Sequence, residues 1–439
     1  LDLALPVNGS IDRASPAWTS NLLDLYIGTV DAFLKYDNVL AYNVDNEVVT
    51  APAETVAAPF IKAGARDVKS YLKSKGSSSL VSFSSTDGSD GAAGWRTALA
   101  NYLACDTDAT SIDLYCLNVY RWCGAGSIAN YNGIISDFQN YPIPAYFSEF
   151  GCIKTPPRLW TEVPALFGEQ MVTEWSGGVA FSYFPTADGY GMVTISSDGS
   201  SVTTSDDFTR LQNQYTAVSF IDSPAQSTVG SNTQATCPSK TEAFLASTAL
   251  PPTPVKDVCE CLQKNVFSCV FSNTSSKNTS PVIGQLLNYA CSQIGTVDGT
   301  CLPIGADGAA GRYGLFSVCD PATKRPYVFS QYYQLSGRQA ASCNFSGNAT
   351  VISTAPSDIE AADAAAVACV STFPTGTQVP TDPTVTSPST HGAASPGTTQ
   401  NGNNGSNNNG ATGISDARGA VIAMAASVIG LAGGMFVLI

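Results

Sequence analysis

Histidine is almost missing from this chain: there is one, His391, in 439 residues. Upstream of it, nucleophilic chemistry that relies on an imidazole base and histidine-rich metal centres are excluded. Charge is scarce as well. Only 13% of residues are Asp, Glu, Lys or Arg, and 21 basic against 35 acidic residues leave a net charge of −14. That balance excludes a nucleic-acid partner, which would demand a basic face. The opening Leu1-Asp-Leu-Ala-Leu-Pro6 lacks an initiator Met, a basic segment and an apolar h-region, so no signal peptide is read there. The run reads as a buried strand already under way, and a trimmed or incomplete chain is expected.

Cysteine, by contrast, is abundant. Thirteen cysteines are too many for an ordinary cytosolic protein and point to a secretory compartment. Eight fall within residues 256–370: Cys259, Cys261, Cys269, Cys291, Cys301, Cys319, Cys343 and Cys369. An even number at that density implies a small α+β module held by four disulfides, with pairing open. Zinc competes, seeded by Cys259-Glu-Cys261, but no paired Cys-x-x-Cys spacing or nearby His accompanies it, so no metal is expected. Residues 371–418, rich in Thr, Ser, Pro, Gly and Asn, read as a disordered, glycosylated linker. N-glycosylation triplets begin at Asn8, Asn273, Asn278, Asn344, Asn348 and Asn404. Residues 419–439 are uncharged and apolar, and follow the small-residue tract Asn401–Ala411 and the spacer Thr412–Arg418. That order is the order of a GPI-attachment signal; a tail-anchored helix is the alternative.

Through about residue 215, strand-length apolar runs alternate with helical spacing. Strands are expected at Leu1–Leu5, Val39–Val44, Leu80–Ser84, Ile112–Val119, Ile143–Phe147 and Gly178–Phe184, with helices over Asn21–Tyr36, Thr55–Lys75, Gly94–Cys105 and Trp160–Trp175. The alternation predicts an α/β fold with a parallel sheet or barrel. Six strands do not close an eight-stranded barrel, so the expectation is a (β/α)8 TIM-type barrel without its first two β/α units, occupying residues 1–240. Residues from about Thr216 to Val255 read as a connection wrapped on that barrel and stapled by Cys237.

Two glutamates stand at strand ends. Glu47 closes Val39-Leu-Ala-Tyr-Asn-Val-Asp-Asn-Glu, and Glu149 closes Ile143-Pro-Ala-Tyr-Phe-Ser-Glu. Barrel enzymes place catalytic groups at the C-terminal ends of their strands, and cleavage of a sugar acetal needs two carboxyl groups. Asn46-Glu47 reads as an acid/base dyad in which Asn46 binds a sugar hydroxyl, and Glu149 reads as the nucleophile. Between them, Asp113-Leu-Tyr-Cys-Leu-Asn-Val-Tyr-Arg-Trp122 ends in Tyr120, placed to hydrogen-bond the nucleophile, and Trp122, placed to stack on a sugar. A lone glutamate of this kind would read as an ordinary strand-end surface residue, and a lone aromatic as core.

The string Lys35-Tyr-Asp-Asn-Val-Leu-Ala-Tyr-Asn-Val-Asp-Asn-Glu-Val48, with Leu117-Asn-Val-Tyr-Arg-Trp-Cys-Gly124, Phe147-Ser-Glu-Phe-Gly-Cys152 and Trp175-Ser-Gly-Gly178, resembles the fungal GPI-anchored β-1,3-glucanosyltransferases. The resemblance covers roughly residues 1–370, and the eight-cysteine segment looks like the glucan-binding module of one branch of that family. It implies a retaining transfer: Glu149 attacks a β-1,3 linkage, and a second glucan's 3-hydroxyl, deprotonated by Glu47, displaces the glycosyl-enzyme. The implied carboxyl separation is about 5–5.5 Å. It further implies that Asn46, Tyr120, Tyr183 and, less securely aligned, Asp2 line the donor site, that Cys105 pairs with Cys237 and Cys123 with Cys152, and that no cofactor is needed. Cys116 is left over as a buried thiol. The implied partners are β-1,3-glucan donor and acceptor and a membrane reached through the GPI anchor, for a monomer at the cell surface or wall. The chain departs from the family pattern at Asp45, Phe150 and Arg121, where Gly, Tyr and Glu are usual; Asp45 adds a charge expected to raise the acid's pKa or distort its turn. Two other classes remain open: a β-1,3-glucan hydrolase with the same two glutamates, and a non-catalytic wall-binding protein.

Overall fold

In the computed structural model the described residues are 2–4, 11–88, 90–91, 94–221, 223–225, 236–272, 289, 291–297, 299–371 and 379–380. Six strands form one sheet: β1 (Asp2–Ala4), β2 (Ala41–Asn46), β3 (Leu80–Thr86), β4 (Leu114–Val119), β5 (Ala145–Phe150) and β6 (Gly178–Ala180). They lie in chain order and every neighbouring pair is parallel. β4 is buried along its whole length and β3 along its centre. Such burial on both faces is why these strands read as nearly continuous apolar runs.

The helices follow from spacing. In α1 (Ser20–Phe33), Leu23, Tyr26, Ile27 and Val30 recur at three- and four-residue intervals and are buried. α2 (Ala58–Ser74) and α3 (Trp95–Ala104) dock similarly. Three register shifts interrupt the ladder, between Asn43 and Asn46, Leu117 and Asn118, and Phe147 and Phe150. All three fall toward the C-terminal ends of their strands, where a bulge re-aims side chains.

The helix expected over Trp160–Trp175 is much shorter: only Glu162–Leu166 is helical, and turns follow. Gly168 lies just beyond it, and a β-carbon there would stand 2.8 Å from the Pro164 carbonyl oxygen, so the chain closes over the last turn at a position that suits glycine and the helix stops. Elements that had not been expected include a short helix, Asn132–Asp137, a hairpin, Val193–Ile195 with Val202–Thr204, and a helix, Asp206–Ala217, whose first turn carries Asp206 and Asp207.

Residues 236–255 run over the outside of α2 and α3. Cys237 is bonded to Cys105 at the end of α3, Tyr102 donates to the Ser247 carbonyl at 2.6 Å, and buried Phe244 packs on Tyr102. The firmest anchor is Asp67, fully buried in α2. It accepts from Trp18 Nε1 at 2.8 Å, from Thr253 Oγ1 at 2.7 Å and from Arg66 Nε at 2.8 Å, while Arg66 Nη1 reaches the Pro251 carbonyl at 2.8 Å.

The cysteine-rich segment has a core of its own. Helices Lys256–Asn265, Pro321–Leu335 and Ile359–Ser371 surround a strand pair, Cys269–Phe271 with Ala349–Val351. Its disulfides are Cys259–Cys319, Cys261–Cys369, Cys269–Cys343 and Cys291–Cys301. It meets the helices flanking the sheet through Tyr313, edge-on to Phe60 of α2 at 5.7 Å, and through Ser20 N of α1, which donates to the Val318 carbonyl at 2.9 Å.

No helix among the described residues is long and apolar enough to cross a membrane. The 419–439 tail, nearly all of the 371–418 linker, His391, Asn8, Asn273, Asn278 and Asn404 lie outside the described residues.

Asp67→Ala strands the buried Arg66 and Trp18 N–H groups. A loss of about 3–5 kcal/mol is expected, read as a lowered denaturant midpoint.

Candidate active site

Glu47 immediately follows β2 with φ of 55°, a left-handed conformation that costs a non-glycine residue about 1–3 kcal/mol. The surroundings impose it: Glu47 N donates to the Ser84 carbonyl at 3.0 Å, and Arg13 Nη2 donates to the Glu47 carbonyl at 2.6 Å. Asp45, one bulge earlier, is buried and accepts the backbone N–H of Asn46 at 2.9 Å and that of Ile11 at 3.4 Å. Its carboxylate therefore braces the turn.

The Asn118 side chain lies between the two strand ends. Its Nδ2 donates to Glu47 Oε1 at 2.9 Å and to Asn46 Oδ1 at 3.1 Å, while its Oδ1 accepts from Ser148 Oγ at 2.6 Å. Asn118 is also the register partner of Glu149, so its amide stands beside that carboxylate. Tyr120, two residues on and hence on the same face of β4, donates its hydroxyl to Glu149 Oε2 at 2.6 Å.

Burial pushes the Glu149 pKa up. The negative charges of Glu47 and Asp188 add to this, and the Tyr120 hydroxyl and the nearby Asn118 amide oppose it. The Tyr120 phenol is held far above its ordinary range, first by burial and then by Glu149, so it stays protonated and acts as donor. The two acids thus feel each other, one held by the Asn118 amide and the other by the Tyr120 hydroxyl. A half-buried carboxylate pair of this kind can protonate a leaving oxygen and attack a carbon between them.

The structure thereby brings together Asn46, Glu47, Tyr120 and Glu149. Tyr183 is half-buried beyond β6, packing on Phe184 at 5.0 Å and Phe208 at 6.4 Å. Asp2 lies in β1, with its side chain outside the described residues. Trp122 is not a sugar platform: it is 6% exposed, packs on Tyr131 at 5.3 Å and donates to Thr161 Oγ1 at 2.9 Å. Arg121 turns away from Glu149 and pairs with Asp87 and Asp90, which also hold fully buried Arg96. The Cys123–Cys152 disulfide ties the chain just past Tyr120 to the chain just past Glu149, and Cys116, in no disulfide, is buried in β4.

Two functional side chains had no assigned role in the sequence reading. Asn118 was legible as a polar residue in a buried strand, two positions before Tyr120. Tyr190, edge-on to Tyr120 at 5.7 Å, comes from a loop with no local signal. Among the described residues no group of three or more His, Cys, Asp or Glu is placed to hold a metal.

The family model for glucanosyltransferases matches residues 1–219, and that for the X8 domain matches residues 267–350. The 1,3-beta-glucanosyltransferase gas2 of Schizosaccharomyces pombe is 32% identical over 359 residues, covering 79% of this chain and 75% of that protein. The chain belongs to the glucanosyltransferase family. Another relative within the family, 1,3-beta-glucanosyltransferase gas1 of the same yeast, is 38% identical over 358 residues, 80% of this chain. The chain spans 62% of the length of that relative, and the same share of Protein EPD1 of Candida maltosa. Among solved structures, Saccharomyces cerevisiae Gas2p in complex with laminaritetraose and laminaripentaose is similar at a TM-score of 0.69 and 29% identity, over 83% of this chain and 79% of that one.

Tyr120→Phe removes a donor that favours ionised Glu149, so the Glu149 pKa rises further and the charged form is lost at a higher pH. The acidic limb of a pH–rate profile is expected to move toward neutrality, with kcat lowered about 10²-fold.

Proposed function

We propose that this protein is a 1,3-β-glucanosyltransferase that elongates cell-wall β-1,3-glucan by a retaining double displacement. Membership of the family and the meeting of Glu47 and Glu149 at Asn118 support the reading; the single observation that carries it is that Asn118, the register partner of Glu149, donates to Glu47, which brings two acids from different strands to one place. In this reading Glu149 is the nucleophile. The hydrogen bond from Tyr120 and the nearby Asn118 amide favour its ionised state against burial and against Glu47. Glu47 protonates the leaving oxygen, with Asn46 beside it for the sugar hydroxyl. Esterification of Glu149 removes the negative charge facing Glu47, which then serves as base toward the acceptor 3-hydroxyl.

The six sequential parallel strands are read as staves of a (β/α)8 barrel within residues 1–240. Residues 256–370 form the glucan-binding module, 371–418 a linker and 419–439 the GPI signal that places a monomeric enzyme at the outer membrane leaflet or wall. Asp2 and Tyr183 are assigned to the donor site on the resemblance. A hydrolase would use the same pair of acids, and the two activities differ in what displaces the ester.

Incubation with a reduced β-1,3-oligosaccharide discriminates these classes. Products longer than the substrate are expected; only shorter ones would make the protein a hydrolase, and none would leave a wall-binding protein. Glu149→Gln is expected to abolish turnover, and Glu47→Gln to lower it by about 10²–10⁴-fold.

A further inference from the structure

Arg158 has no place in the chemistry above, yet it connects more of the site's frame than any acid in it. It lies in the loop after β5 and is 7% exposed. Its Nη1 donates to the carbonyls of Phe181, at 2.6 Å, and Gly151, at 3.3 Å; its Nε donates to Asp207 Oδ2 at 2.9 Å, and its Nη2 pairs with the same carboxylate. Gly151 follows Glu149 by two residues at the end of β5, Phe181 follows β6, and Asp207 sits in the first turn of the helix Asp206–Ala217. One planar guanidinium therefore links the ends of two adjacent strands to a helix N-terminus.

The face of that guanidinium is occupied as well, over the Trp160 ring at 4.2 Å and the Tyr190 ring at 5.7 Å. Gly151 makes room for this stack: its φ is 118°, and a β-carbon there would stand 2.5 Å from the Trp160 ring. Tyr190 and Phe181 meet edge to face at 5.1 Å, and both pack on Tyr120, at 5.7 and 6.3 Å. Tyr120 in turn holds Glu149 Oε2. Arg158 thus grips the backbone of one ring and lies on the other, and those two rings wall in the phenol that orients the nucleophile.

We infer that Arg158 is a positioning residue for Glu149, acting through the Phe181–Tyr190–Tyr120 aromatic cluster. Lysine keeps the charge but is a point donor; it cannot span two carbonyls and a carboxylate in one plane or stack on two rings. A purely structural arginine, spent on stability, would leave the Glu149–Tyr120 hydrogen bond untouched when replaced.

The inference rests on the nucleophile reading of Glu149, and the test separates the two. Arg158→Lys in the full chain is expected to lower kcat on a β-1,3-oligosaccharide by about tenfold to 10²-fold with KM within about threefold. The ¹³C carboxyl titration of Glu149, assigned by its loss in Glu149→Gln, is expected to move to higher pH as the Tyr120 hydrogen bond loosens. Its other charged neighbours, Glu47 and Asp188, are left unchanged in the variant. A lowered melting temperature with kcat and the titration both unchanged would overturn the inference. If the unaltered protein does not turn over glucan, the functional reading falls, while the titration alone still decides for or against Arg158. Should Arg158→Lys fail to fold, Asp207→Asn loosens the same fork from the helix side, and the Glu149 titration is read in the same way, an unmoved midpoint again overturning the proposal.

Discussion

One side-chain amide, that of Asn118, constrains the whole site. It donates to Glu47 from the end of β2, stands as register partner beside Glu149 on β5 and takes a hydroxyl from Ser148, while itself belonging to β4. Three strands must therefore end at one height, and the bulges near their C-terminal ends are how that is achieved. Without the shift at Leu117/Asn118 the pleat would carry Asn118 and Glu149 out of step. The left-handed turn at Glu47 serves the same end, aiming a carboxylate back over the sheet at a backbone cost met by the Ser84 and Arg13 hydrogen bonds.

Electrostatics follow from that geometry. Two acids beside each other in a half-buried setting repel, and burial alone already disfavours the charge on Glu149. Tyr120 and Asn118 oppose this by offering donors that are good only for a carboxylate. The balance between like charge and directed donors is what lets two chemically identical residues take different parts.

Much of this was legible in the sequence. All six strands of the sheet, three of the four expected helices and the pairing of an Asn-Glu step with a later strand-end Glu follow from period, length and strand-end chemistry, because buried parallel strands and amphipathic helices leave strong patterns. The helix after residue 160 was overestimated because apolar spacing continued past Pro164 and Gly168. Trp122 was misread because an aromatic at a strand end looks the same whether it faces a groove or a core. Tyr190 and Arg158 were invisible for a different reason: their partners lie on other elements, and no local spacing encodes a guanidinium that bridges carbonyls far along the chain.

The strap of residues 236–255 carries a consequence for how the molecule is made. Thr253 reaches Asp67 across 186 positions, and Cys237 must find Cys105 across 132. On the ribosome, the outer surface of α2 and α3 therefore waits uncovered, with Asp67 short of a ligand and a lone thiol at Cys105, until the nascent chain has lengthened past the sheet it will clasp. Vectorial synthesis makes the sheet and its helices first and their fastening last.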